Sequence, residues 1–131
     1  MTFLIVFGSL YPFSFSLNGV AALARPGELP QAGMTRSDIA ANVLLYLPLG
    51  TCLAWLLAPR FGSTFAVVAA TLIAATLSYA IEFAQLYETR RVASLADFAC
   101  NTVGAFAGAC LALALARTRQ HMHSSRFAGF L

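Results

Sequence analysis

Charge is what this chain lacks. Only 10% of its 131 residues are charged, five of them acidic, and all eight basic residues are arginine. Ordinary soluble domains carry about 25%. So little charge excludes a solvated surface and points to a single integral membrane domain. The formal charge of +3 is small and scattered. With no basic stripe and no stacking-aromatic motif, no nucleic-acid partner is expected. Cysteine is equally sparse. Cys52, Cys100 and Cys110 all fall inside apolar runs, with no C-x-x-C spacing. Disulfides and cysteine catalysis are not expected, and neither a metal nor a cofactor is. His121-x-His123 is a weak metal signal. No nucleophile elbow and no phosphate-binding loop occurs.

What is present is apolar: 60% of the residues. Four apolar segments stand out, at residues 2–17, 39–58, 64–87 and 98–116. The last three are close to the ~20 residues an α-helix needs to cross a bilayer. Strands would leave open edges in lipid, so helices are expected. The predicted fold is an all-α polytopic bundle of four transmembrane helices, the first one short, built as two similar helical hairpins. It occupies residues 1–116, and 117–131 form a polar, basic, flexible tail. The first segment contains Gly8 and Pro12 and reads as a retained helix. The rival reading is a signal peptide cleaved near Ala22-Leu-Ala24, which the absence of a basic residue before the segment disfavours. Residues 18–37, rich in Gly and Pro, read as a loop, and Pro59-Arg-Phe-Gly62 as a tight turn.

The scarce polar residues are patterned. Thr35-Arg-Ser-Asp38-Ile-Ala-Ala-Asn42 and Ser94-Leu-Ala-Asp97-Phe-Ala-Cys-Asn101 both read [Ser/Thr]-x-x-Asp-φ-Ala-x-Asn, each heading an apolar run. The first four positions resemble a capping box, and an early carboxylate suits the helix dipole. Capping does not explain the asparagine. Asn42 and Asn101 lie one turn deeper on the same face as their aspartates. They are either interhelical hydrogen-bonding groups or ligands facing a shared polar site.

Glu82 ends a long uncharged run, with Ser78 and Gln85 on its helix face at i, i+4, i+7 spacing. An acid at the centre of a span costs ~2.5–3.5 kcal/mol on the insertion scale, less near an end. It reads either as an ion-paired structural group or as a proton acceptor or headgroup-binding residue. Arg90 and Arg91 follow in the next turn, where guanidinium suits bidentate contact with phosphate or carboxylate. Gly104-x-x-x-Gly108 continues the Asp97–Asn101 face as a close-packing motif. Pro48-Leu-Gly50 predicts a kink in the second helix, and Tyr46 extends the polar face beyond Asn42.

In this order and combination the motifs resemble the VanZ-like family of small bacterial membrane proteins. The matching residues run from Asp38-Ile-Ala-Ala-Asn42 through Tyr46-Leu-Pro48-Leu-Gly50. They continue with Ser78-Tyr-Ala-Ile-Glu82-Phe-Ala-Gln85 and Arg90-Arg91, and end at Asp97-Phe-Ala-Cys-Asn101-Thr-Val-Gly104 with Gly108. Tyr11-Pro12-Phe13 is also similar. The resemblance implies a multi-pass protein of the bacterial inner membrane with cytoplasmic termini, which the arginine distribution alone leaves tied. The family's named member is associated with resistance to the glycopeptide teicoplanin.

The expected site is a polar patch near the outer leaflet, lined by Asp38, Asn42, Glu82, Gln85, Arg90, Arg91, Asp97 and Asn101. Its expected partners are membrane lipids and a lipid-linked or otherwise anionic cell-envelope precursor. A homo-oligomer is compatible with the sequence. Two rivals stay open: a structural or assembly module without ligand, and a membrane enzyme acting on lipid-linked substrates by acid/base chemistry.

Overall fold

The computed structural model describes residues 2–11, 13–15, 35–87 and 94–128, with side chains as far as 118. Among them are four helices and no strand: α1 (Thr2–Leu10), α2 (Arg36–Phe61), α3 (Ser63–Gln85) and α4 (Leu95–Ala128). Three of these, α2, α3 and the Leu95–Thr118 part of α4, are long and apolar enough to cross a membrane. The protein is multi-pass. At 1.5 Å per residue α2 and α3 reach about 39 and 35 Å, against ~30 Å of hydrocarbon. The short α1 reaches about 14 Å.

Several boundaries differ from the sequence expectation: α1 ends at Leu10, short of residue 17, and α2 begins at Arg36, inside the stretch expected to be loop. The helix of α2 runs on through Pro59 to Phe61, and one residue, Gly62, joins it to α3. Gly62 has φ 82°, a conformation that a residue without Cβ adopts freely. Its N–H donates to the Ala58 carbonyl at 3.0 Å and its own carbonyl accepts from Ala66 N–H at 3.0 Å. One residue therefore ends one helix and opens the next. At the other end of the bundle, α4 continues through the polar stretch to Ala128. Neither Gly nor Pro interrupts the chain between Gly108 and Gly129, and a glycine is a common helix stop. The helix of α2 also passes through Pro48. Residues 16–34, which hold most of the expected loop and Ala22-Leu-Ala24, lie outside the described residues.

Small residues set the packing. On α3, Ala66, Ala70, Ala74, Ser78, Ile81 and Gln85 form one buried stripe at helical spacing. The α2–α4 seam is closer still. A Cβ on Gly50 would collide with the Ala105 carbonyl, one on Gly104 with the Val43 carbonyl, and one on Gly108 with the Leu47 carbonyl. Without side chains at these points the two backbones touch, as in other membrane helix pairs. The Thr51 hydroxyl fastens the seam, shared between the Leu47 carbonyl at 2.9 Å and the Gly108 carbonyl at 3.0 Å. Val43 meets Gly104 and Leu47 meets Gly108, so α2 and α4 run parallel and start at the same end of the bundle. The returning α3 finishes there. Ile5 anchors α1 in a core with Tyr46, Leu49, Ala74, Ile81 and Ala105. Large side chains such as Leu44, Leu56, Phe65, Leu72 and Phe106 point outward, where acyl chains surround a spanning helix.

Candidate functional site

The end of the bundle where α2 and α4 begin holds the polar side chains. Helical spacing puts Ser78, Glu82 and Gln85 on one face of α3, and each reaches a different neighbour. Gln85 Nε2 donates to the Ser9 carbonyl at the end of α1, 3.0 Å away. Glu82 Oε2 accepts the Ser94 N–H at 2.7 Å. Ser78 Oγ accepts from Asn101 Nδ2 at 2.9 Å. Three rungs thus tie α3 to α1, to the first residue before α4, and to the second turn of α4.

Ser94 acts as the N-cap of α4. Its carbonyl accepts the Phe98 N–H at 3.1 Å and its Oγ accepts the Asp97 N–H at 3.3 Å. Glu82 takes the N-cap's own N–H, a contact between an anion and a helix start that the dipole favours. Asp97, half-buried three residues after Ser94, brings a second carboxylate to the same helix start. An edge-on contact of Tyr79 with Phe98, ring centres 6.3 Å apart, packs the same two helix ends together.

One layer deeper, the protein buries polarity that it does not pair. Tyr46 of α2 is 1% exposed, Ser78 0% and Asn101 6%. The Tyr46 hydroxyl and Asn101 Oδ1 have no hydrogen-bond partner among the described residues. Ser78 lies beside the Tyr46 hydroxyl but does not meet hydrogen-bond geometry with it. An unpaired buried donor or acceptor costs about 1–3 kcal/mol. Helix packing alone gives no reason to place two of them around one serine.

The remaining candidates from the sequence fall elsewhere. Asp38 is exposed and closed into a full capping box with Thr35, so it is not part of the cluster. Asn42 is half-buried on α2. Arg90 and Arg91 lie outside the described residues, between Gln85 and Ser94 in the chain. Glu82, Gln85, Asp97 and Asn101 are brought together. Tyr46 and Ser78 join them from faces that the i, i+4 pattern already marked. The Ser9 carbonyl joins with no sequence signal, because any residue supplies one. Among the described residues no three His, Cys, Asp or Glu side chains group as metal ligands.

The helices, seam and polar stripe lie inside a stretch, residues 2–117, that one family model matches: VanZ/LLP1. The chain belongs to the VanZ/LLP1 family. No curated protein and no solved structure matches it. Family membership therefore establishes a VanZ-like multi-pass membrane protein, and the chemistry of the site has to be argued from its own residues.

Proposed function

We propose that this VanZ-like protein binds an anionic, lipid-linked envelope molecule at the end of the bundle formed by the start of α4 and the end of α3. The observation that carries the reading is convergence. Tyr46, Ser78, Glu82, Gln85, Asp97 and Asn101 come from three helices of a nearly uncharged bundle and gather at one end. Intramembrane polar groups are rare unless paired or functional. In this reading Arg90 and Arg91 take the anion, by bidentate contact, and the carboxylates accept hydrogen bonds from headgroup hydroxyls. The protein sits in the bacterial inner membrane with the C-terminal end of α4 cytoplasmic, so the site opens to the outer leaflet. The association of the family's named member with teicoplanin resistance fits a ligand from the cell envelope.

A specific observation favours a second reading. Gln85, Glu82 and Asn101 each already make a bond between two elements. They are then internal glue, and the protein is an assembly module. Native mass spectrometry of the wild type and Glu82→Gln, with thermal melts alongside, separates the two. Glutamine keeps an oxygen for the Ser94 N–H and removes the charge, so folding should survive. A defined lipid-linked mass on the wild type, lost from an equally stable variant, supports the site. No such mass on either protein, with a destabilised variant, selects the glue.

A further inference from the structure

The layer beneath the carboxylates has a chemistry of its own. Its lining polar groups are neutral: a phenol, a serine hydroxyl and a primary amide. The phenol of Tyr46 has a proton to give, and Asn101 Oδ1 has lone pairs to fill. Both are buried without a partner among the described residues. Both belong to residues that meet at Ser78, which receives Asn101 Nδ2 at 2.9 Å and interacts with Tyr46.

The occupant that fits must accept from one atom and donate to the other. A phosphate diester or carboxylate oxygen accepts from Tyr46 but has no proton for Asn101. An ammonium carries donors only, so it can serve Asn101 Oδ1 but cannot accept from the Tyr46 hydroxyl. A neutral hydroxyl does both at once. It also satisfies the Asn101 amide in either orientation, since it can accept from Nδ2 as readily as it donates to Oδ1.

We infer that Tyr46, Ser78 and Asn101 form a subsite for a neutral hydroxyl group, presented by the polyol or sugar part of a lipid headgroup entering between α2, α3 and α4. The inference rests on the ligand reading above and deepens it. In that reading the arginines take the phosphate, and the neutral layer selects for hydroxyl.

The test is native mass spectrometry of the full chain in mild detergent, titrated separately with phosphatidylglycerol, phosphatidylmethanol and phosphatidylethanolamine of matched acyl chains. The first two carry the same single charge, and only the glycerol headgroup offers hydroxyls. Wild type should hold phosphatidylglycerol about tenfold more tightly than phosphatidylmethanol, the order expected for one well-made hydrogen bond in a buried site. In Tyr46→Phe, which loses one of the hydroxyl's two bonds, the preference should fall to about threefold or less, with the melting temperature close to wild type. If Tyr46→Phe proves too unstable to compare, Ser78→Ala, which removes the hydroxyl that holds Asn101 in place, should weaken the same preference. Equal binding of the two anionic lipids by wild type, which is the outcome if water fills the subsite, overturns the inference. So does a preference that survives undiminished in a stable variant. Equal binding of both anionic lipids well above phosphatidylethanolamine removes the hydroxyl subsite and leaves the anionic site standing. No preference among the three lipids removes both.

Discussion

The two [Ser/Thr]-x-x-Asp signatures start alike and end differently. In the first, at α2, the Asp38 N–H donates to Thr35 Oγ1 at 3.3 Å, and the Thr35 N–H donates back to Asp38 Oδ2 at 2.9 Å. The box closes on itself and stays exposed. In the second, at α4, the Asp97 N–H reaches Ser94 Oγ at the same 3.3 Å, but the Ser94 N–H goes to Glu82 of another helix. The asparagines diverge too. Asn42 is half-buried, while Asn101 is buried and bonded to α3. One local motif thus yields a self-contained cap in one place and a tertiary site in the other. The difference comes from a carboxylate delivered by a neighbour, and from a glycine seam that draws α4 in until its polar face is enclosed.

The seam is where that contrast breaks most completely. Gly108→Val would drive its Cβ into the Leu47 carbonyl and crowd the Thr51 N–H. Backbone is the obstacle, so no rotamer change relieves it, and α2 and α4 must separate. A loss of about 3 kcal/mol is expected, the upper end for overpacked cores. Thermal unfolding in detergent would read it, together with loss of ligand binding. Ala41→Val, on the exposed face of the first signature, should shift stability by no more than about 0.5 kcal/mol. Comparable losses in the two variants would mean that the seam does not hold the second signature in place.

Removing the caps sharpens the comparison at the next level. Glu82→Ala deletes the acceptor for the Ser94 N–H and a link between α3 and α4. We expect a loss of about 2 kcal/mol, the upper end for an N-cap deletion. Thr35→Ala opens the exposed box, where water replaces the lost bonds, and should cost about 1 kcal/mol. Chemical denaturation of both, at matched detergent concentration, gives the ratio. If Thr35→Ala is the more damaging, the cross-helix cap is not the stronger of the two.

Much of this was legible in the sequence because membrane helices announce themselves by composition. The three spans, the short first helix, the small-residue face at Gly104 and Gly108, and the Ser78–Glu82–Gln85 face all follow from period and burial. Three kinds of fact did not. Pro59 looks like a turn residue, yet α2 holds its helix to Phe61, because Gly62 alone supplies the reversal. Asp38 and Asp97 sit in matching strings, and nothing local tells which serine or threonine N–H a distant glutamate will claim. The Ser9 carbonyl that receives Gln85 is a backbone group, invisible to any residue-type pattern.

The asparagines give the smallest and most diagnostic difference. Asn101→Ala removes the bond to Ser78 Oγ and also an acceptor, Oδ1, that had no partner among the described residues. The two changes oppose each other: one contact is lost and one desolvated atom is relieved. Interhelical side-chain bonds in a membrane average ~0.6 kcal/mol, so the net cost should stay below about 1 kcal/mol despite deep burial. Asn42→Ala should fall within about 0.5 kcal/mol of wild type. The two stabilities should therefore nearly coincide, while lipid selectivity changes only in Asn101→Ala, measured by the same titrations. A large stability loss in Asn101→Ala without a change in lipid preference would place its value in packing and return the second signature to the role of the first, a structural cap.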